Sequence, residues 1–134
     1  MVANKAALGA IWPCLIVGDM EETLTFYRDR LGFEVIYQAP EPDPFFAILQ
    51  RDDVHLMVKY VAPEVLPVPN TGRHPFAPWD AYVYVPEPDL LAEEFAAQGV
   101  EFYEPLGDND DNLRGFTVRD VNGYALFFGR PCGS

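Results

Sequence analysis

The stretch Leu-Gly-Phe-Glu-Val at positions 31–35 decides the fold, because a second version of it, Gln-Gly-Val-Glu-Phe, stands at positions 98–102. The two versions lie 67 residues apart, from Leu31 to Gln98, which is half of the 134-residue chain. Each version closes an amphipathic stretch and opens a predicted strand. A repeat of this length indicates two copies of one supersecondary unit that share a core. The groove between the copies is therefore the first place to look for function.

The segments around each version follow one order. An apolar strand comes first, then a helix that Gly32 ends in the first copy, and then three further strands. In the first helix Met20, Leu24, Tyr27 and Leu31 recur on one face, and Asp19 begins an acidic capping box. The predicted strands are 8–17, 33–38, 45–50 and 54–60 in the first copy and 79–85, 101–104, 114–119 and 124–129 in the second, whose helix spans about 88–98.

This order predicts an α+β fold in which two tandem β-α-β-β-β modules together supply an eight-stranded mixed sheet. We expect a single domain with module one at about 6–61, a linker at 62–78 and module two at about 79–131. The segment from Val61 to Pro78 contains five prolines and is long for a connection inside a compact domain. It is typical of a functional loop, or of a linker through which modules exchange between chains.

The composition limits the classes of partner. The chain has 21 acidic against nine basic residues, and it lacks the clustered cations that nucleic-acid binding needs. The longest apolar run, from Leu8 to Val17, contains Pro13 and is too short for a bilayer, and no signal peptide is recognisable. We therefore expect a cytoplasmic protein with no nucleic-acid or membrane partner. Its two cysteines, Cys14 and Cys132, do not form a disulfide framework.

Two motifs carry a resemblance to a known family. The segment from Val17 to Phe33, with its Val-Gly-Asp start, Phe-Tyr pair and Leu-Gly-Phe end, and the Arg-Asp-Val-Asn-Gly-Tyr stretch at 119–124 resemble the vicinal oxygen chelate superfamily. That superfamily includes glyoxalase I, extradiol dioxygenases, and fosfomycin- and bleomycin-resistance proteins. The resemblance implies a cup formed by the sheets of two modules, and a homodimer, because this family commonly completes or covers its cups between chains.

The resemblance also implies where a divalent metal would bind. In this superfamily, enzymes hold the metal with His, Glu or Gln from the first and last strands of each module. In this chain those positions carry Trp12, Met57 with His55 nearby, Asp80 and Phe127. Only Asp80 is a credible ligand at its expected place, whereas a catalytic zinc needs three protein ligands. We therefore expect no metal and no other cofactor.

The residues that replace the metal ligands suggest a binding surface. Strand alternation places Trp12 on one face with Cys14, and Asp80 on one face with Tyr82 and Tyr84. Aromatic rings around a carboxylate suit a flat organic ligand, and a cation in particular. The alternative is that the rings fill the cup as core. The predicted ligand-binding residues are Trp12, Cys14, His55, Met57, Asp80, Tyr82, Tyr84 and Phe127.

Three hypotheses for function remain open at this level. The first is a protein that binds a small organic molecule without chemistry, as the bleomycin-resistance members do when they sequester a drug. The second is a metal-dependent lyase, dioxygenase or transferase that uses His55, His74 and Asp80. The third is a metal-free enzyme in which Asp80 is a general base. The missing metal ligands favour the first hypothesis, and with it a protein that is not an enzyme.

Overall fold

The structure is a computed structural model that describes residues 4–133. It contains eight strands and two α-helices in the predicted β-α-β-β-β order, once in each half of the chain. A π-helical turn, Phe26–Arg30, continues the first helix, and the linker contains a short 3-10 turn, Asn70–Gly72. The elements are β1 (Cys14–Ile16), α1 (Met20–Thr25), β2 (Glu34–Ala39), β3 (Phe46–Arg51), β4 (Val54–Lys59), β5 (Ala81–Tyr84), α2 (Pro88–Ala97), β6 (Phe102–Asp108), β7 (Leu113–Arg119) and β8 (Ala125–Pro131).

The eight strands divide equally between two mixed sheets. The first sheet has the order β1-β4-β3-β2 and the second the order β5-β8-β7-β6. In each sheet the first strand of the module runs parallel to the last, and the remaining pairs are antiparallel. The predicted α+β fold with two like modules is therefore confirmed, with its strands arranged as two sheets of four.

One hydrophobic core connects the two modules. It contains side chains of the first module, such as Leu24, Leu49 and Val58, and side chains of the second, such as Phe95 and Phe128. The predicted apolar face of the first helix is confirmed, because Met20, Leu24, Tyr27 and Leu31 are all buried. The sheet faces that turn toward the helices are therefore packed, and the opposite faces are left for function.

The ends of the helices follow the sequence signals. The Asp19 side chain accepts a hydrogen bond of 2.8 Å from the Glu22 backbone N–H, and Pro88 occupies the first turn of α2. Gly32 and Gly99 have φ angles of +75° and +79°, which a glycine adopts without a Cβ penalty. Within residues 4–133, no helix is long and apolar enough to cross a membrane.

The π-helical turn has a direct origin in the repeat. From Val17 to Leu31 the first module has 14 steps along the chain, whereas from Val85 to Gln98 the second has 13. The first module thus has one extra residue between equivalent ends, and a π turn is how a helix accommodates an insertion. Tyr27, which is fully buried, lies inside this turn.

Each module contacts the other through its helix. The Tyr27 hydroxyl donates a 2.6 Å hydrogen bond to the Asp120 carboxylate in the turn between β7 and β8. On the other side Arg51, at the end of β3, donates two hydrogen bonds of 2.7 and 2.8 Å to the Glu94 carboxylate on α2. We name these the buried latch and the exposed latch.

Two predicted strands are shorter than the sequence pattern indicated. The first was predicted from Leu8, but β1 begins at Cys14, and Leu8 is 98% exposed. Pro13 explains this, because proline has no N–H to donate to a neighbouring strand. The fifth was predicted over 79–85 and spans Ala81–Tyr84. Trp12 and Asp80 therefore lie just outside the strands that were expected to carry them.

Candidate functional site

The face of the first sheet that points away from the helices carries three predicted site residues: Cys14, His55 and Met57. Cys14 pairs in register with Met57, and Ile16 pairs with Lys59. Cys14 is exposed and Ile16 is 37% exposed, whereas Leu56 and Val58 on the opposite face of β4 are buried. The predicted alternation of faces is therefore confirmed in β1 and β4. We refer to the faces turned away from the helices, in both sheets, as the cup faces.

Trp12 and His55 form a stacked pair beside this cup face. Their ring centroids are 4.1 Å apart and their planes differ by only 8°. Trp12 is 40% exposed, and the Nδ1 atom of His55 is buried with no hydrogen-bond partner among the described residues. The structure thus brings these two predicted residues together, with the outer part of the indole available to a ligand.

The cup face of the second sheet carries an aromatic group of three rings. Tyr82 pairs in register with Phe127, and Trp79 packs on both rings at centroid distances of 5.6 and 5.4 Å. Phe127 is only 3% exposed, whereas Tyr82 and Tyr84 are 38% and 63% exposed. Phe127 is therefore part of the core, as the alternative interpretation of these rings held, and Trp79 and Tyr82 pack on it. Tyr82 and Tyr84 are the rings that a ligand can reach.

Two glycines allow Phe127 to lie close to the sheet. A Cβ atom at Gly115 would come within 2.7 Å of the Phe127 ring, and one at Gly129 within 2.6 Å of it. A Cβ at either glycine would lie even closer to a backbone carbonyl oxygen of the neighbouring strand, that of Phe128 for Gly115 and that of Arg114 for Gly129. A larger residue would therefore disturb the β7–β8 pairing as well as the ring. The position of the Phe127 ring, on which Trp79 and Tyr82 pack, therefore depends on Gly115 in β7 and Gly129 in β8.

Asp80 has a structural role in this arrangement. One carboxylate oxygen accepts a 2.8 Å hydrogen bond from the Asn70 backbone N–H, and the other accepts one of 2.8 Å from the Ala125 N–H. The Asp80 N–H in turn donates to the Ala125 carbonyl at 2.8 Å. The side chain therefore connects the linker to the start of β8, and each of its oxygens already has a donor.

A cavity of about 350 Å³ lies where the linker meets the edge of β1. Cys14 and Asp80 line it, together with Leu66 and Val68 of the linker and with Tyr124. The Tyr124 hydroxyl donates a 2.6 Å hydrogen bond to the Ile16 carbonyl. Sequence reasoning missed the two linker residues, although their apolar character among prolines was a visible signal.

A positive charge lies on the first cup face, which sequence reasoning also missed. The Lys59 ammonium is 5.0 Å from the centre of the Phe45 ring, a distance typical of a cation–π contact. Strand alternation alone places Lys59 beside Met57 and His55, so this charge was available as a signal. Its presence limits how strongly a cationic ligand is attracted to the first sheet.

The residues at the superfamily's metal positions do not fit a divalent cation. Trp12, Met57 and Phe127 supply no suitable ligand there, and the Asp80 oxygens accept backbone hydrogen bonds. Across residues 4–133, no three His, Cys, Asp or Glu side chains come together in a group that could hold a metal. The alternative set of His55, His74 and Asp80 is thus not assembled.

The sequence profile of the Glyoxalase/Bleomycin resistance protein/Dioxygenase superfamily matches residues 9–128. This chain belongs to that superfamily. The match covers both modules and the linker, which agrees with the paired sheets described above. A search of curated proteins found no relative of significant similarity.

Solved structures of this superfamily have the same fold. A glyoxalase/bleomycin resistance protein/dioxygenase from Nocardioides is 22% identical, with 97% of this chain and 88% of the other covered and a TM-score of 0.68. The bleomycin-binding protein of Streptomyces verticillus, solved with copper(II)-bleomycin, is 25% identical over 97% and 100% of the chains, with a TM-score of 0.68. A putative glyoxalase family protein from Bacillus anthracis is 18% identical over 96% and 99%, with a TM-score of 0.70. Membership of the superfamily supports a ligand-binding role.

Proposed function

We propose that this chain binds a small organic ligand on its cup faces by aromatic stacking, without metal chemistry. The observation that carries the proposal is the exposure of Trp12, Tyr82 and Tyr84 on faces turned away from the core. Exposed apolar patches on a protein surface mark binding sites, and Tyr82 and Tyr84 form such a patch along β5 of the second sheet. Tyrosine and tryptophan also combine an apolar ring with a polar group that orients a ligand.

A cationic aromatic compound is the ligand class that fits best. The chain has a formal net charge of −12, which produces a negative field that attracts cations. The exposed ring faces bind a cation through their quadrupoles. Lys59 opposes this attraction on the first sheet, so we assign the main contact to Tyr82 and Tyr84 on the second.

The similar structures support sequestration of a drug or metabolite. The Streptomyces verticillus protein, at 25% identity, was solved with copper(II)-bleomycin, and another neighbour is a bleomycin resistance determinant. A protein that binds such a compound tightly confers resistance with no catalytic step. Bleomycin is therefore the first probe to test, and the natural ligand follows from a wider panel of cationic aromatic compounds.

We also propose that the active form is a homodimer. Ile16 in β1 and Ile36 in β2 are both exposed in one chain, and a second copy would cover them. Burial of apolar side chains is the main favourable contribution to such association. Static light scattering at micromolar concentration should give twice the chain mass, and a monomer under those conditions would rule this out.

The direct test of binding is a fluorescence titration with metal-free bleomycin. Trp12→Phe and Trp79→Phe, prepared separately, identify which indole responds. Tyr82→Ala should weaken binding by about 1 kcal/mol, or about fivefold, the typical value of one aromatic contact. Phe76→Ala is the matched control, because Phe76 is an 86% exposed ring in the linker. Equal losses in the two alanine variants, or no quenching at millimolar ligand, would contradict the proposal.

Asp80 needs a different experiment, because it also holds the linker. Asp80→Asn places an amide N–H against one of two backbone donors, so stability and binding would change together. The enzymatic alternatives are better separated by elemental analysis after growth in metal-supplemented medium. One equivalent of zinc, nickel, manganese or iron per chain would favour the metal-dependent enzyme over the binding protein.

A further inference from the structure

A second cavity, of about 400 Å³, lies on the helix side of the second sheet, away from the cup faces. Its walls are α2, the end of β5, and the turn between β3 and β4. Its volume falls within the range of small-molecule sites, which is about 300–1,000 Å³. We name it the latch groove, because the exposed latch of Arg51 and Glu94 stands at its edge.

The interior of the latch groove is apolar. Phe33, Phe95 and Phe128 form its deepest part and are each less than 5% exposed. Half-buried aliphatic side chains, Val83 and Leu91 among them, form the walls nearer to solvent. A ligand that enters would displace water from the exposed parts of Val83 and Leu91, and this burial of apolar surface favours binding.

The edge of the groove is negative. The charge of Arg51 is already matched, since its guanidinium donates to both Glu94 oxygens and to the Leu31 carbonyl. Asp52 approaches Arg51 only at 3.9 Å, and its side chain is 91% exposed. Asp53 lies next to it, exposed, and also lines the groove. A ligand head group at this edge would therefore meet two carboxylates.

The equivalent place in the other half of the molecule is closed. There the Tyr27 hydroxyl reaches Asp120, and the Asn122 side chain donates to the Thr23 hydroxyl at 3.0 Å, so the turn lies directly on the helix. Asp52 occupies the position that Asp120 has in the repeat, one residue after Arg51 as Asp120 follows Arg119. Its side chain points to solvent, and Phe95 has no hydroxyl to hold it. The groove is the space left by this missing contact.

We propose that the latch groove binds an amphipathic organic cation, with its apolar part against Leu91 and Phe95 and its ammonium group beside Asp52 and Asp53. Such a site opens on the helix side of the second sheet and shares only Tyr84, at the end of β5, with the cup-face residues named above. It gives the protein a second ligand position, through which an amine would also link the turn of the first module to the helix of the second.

Three probes with the same eight-carbon chain test the charge preference: n-octylamine, octan-1-ol and sodium octanoate. Titrations followed by amide NMR should show n-octylamine as the tightest ligand. The shifts should concentrate at residues 51–54, 85–86 and 91–95 rather than at the cup-face residues Tyr82, Tyr84 and Phe127. Preferential binding of octanoate would assign the site to anions captured by Arg51 and would overturn the proposal. So would the absence of binding by all three.

Three variants, one of them a control, complete the test. Asp53→Asn should weaken n-octylamine about two- to fivefold, the range for an exposed charge pair, and leave octan-1-ol unchanged. Asp110→Asn, in the exposed β6–β7 loop, is the matched control and should change neither. Leu91→Trp should fill the groove and abolish binding of all probes. If Leu91→Trp does not fold, the Asp53 variant and the NMR map decide, and an n-octylamine affinity unchanged by Asp53→Asn contradicts the proposal.

Discussion

The two latches join the same elements, a helix of one module and a turn of the other, with opposite chemistry. The buried latch is one hydrogen bond between Tyr27, which is fully buried, and Asp120, which is 6% exposed. The exposed latch is an ion pair between Arg51 and Glu94, whose side chains are 27% and 45% exposed. Both halves thus keep the contact between a helix and a turn, although a buried hydrogen bond makes it in one place and an exposed ion pair in the other.

Burial explains why the two latches respond differently. Loss of solvent raises the pKa of Asp120, and the Tyr27 hydrogen bond opposes part of that rise. Burial also raises the pKa of Tyr27 well above 10.0. By contrast, the hydrogen bonds from Arg51 lower the pKa of Glu94. The buried latch therefore depends on the hydrogen bond that Tyr27 donates, and the exposed latch depends on the opposite charges of Arg51 and Glu94.

The largest effect should come from breaking the buried latch. Tyr27→Phe leaves one oxygen of a buried carboxylate without its donor, and we expect a loss of about 1–3 kcal/mol in the free energy of unfolding. Urea denaturation measures it. Tyr37→Phe is the control, because Tyr37 is 53% exposed and its hydroxyl can bond to water. Similar losses in the two variants would show that the Asp120 contact is not what matters.

A smaller effect should follow from breaking the exposed latch. Glu94→Gln keeps the shape of the side chain and removes its charge, and we expect a loss of about 0.2–1 kcal/mol at low salt. Addition of 1 M NaCl should remove most of this difference, because it shortens the screening length to about 3 Å. A loss that exceeds that of Tyr27→Phe, or one that persists in salt, would invert the comparison.

The smallest difference should appear in acid. Because Arg51 lowers the pKa of Glu94 below its ordinary 4.5, this group stabilises the fold above that value. The contribution is lost as the pH falls through the lowered pKa, so the cost of Glu94→Gln should shrink toward zero there. Asp120 has the opposite sign: its raised pKa favours the fold below 3.8, and this contribution is lost as the pH rises through the raised value. Urea midpoints of the parent protein and of Glu94→Gln, measured between pH 3 and 7, give this cost. A cost of Glu94→Gln that grows in acid would contradict the assignment.

Much of the fold was predictable because its signals are local. The Gly32 and Gly99 turns, the Asp19 cap and the buried face from Met20 to Leu31 all depend on residues close in sequence. The extra residue in α1 was also visible, since Val17 and Val85 are separated by 68 residues and Leu31 and Gln98 by 67. The latches were not predictable, because they join residues 93 and 43 positions apart.

The site was predictable only where strands are regular. Alternation placed Cys14 and Ile16 on one face, and Tyr82 and Tyr84 on another, as the structure has them. It did not predict the hydrogen bonds of Asp80, which lies one residue before β5 and whose carboxylate accepts from two backbone N–H groups. No periodic pattern signals such a bond, because its donor Asn70 belongs to an irregular linker.

The unlike latches also make each half selective for the other. In a pair of second modules Glu94 would still meet an arginine, because Arg119 has the repeat position of Arg51. Asp120, however, would face Phe95, which has no hydroxyl to donate. A pair of first modules would offer Tyr27 the carboxylate of Asp52 but would leave the Arg51 guanidinium without Glu94. Each half therefore fits the opposite half better than a copy of itself. The Arg-Asp turn pair is the same in both halves, at 51–52 and 119–120, so the helices alone carry this selectivity.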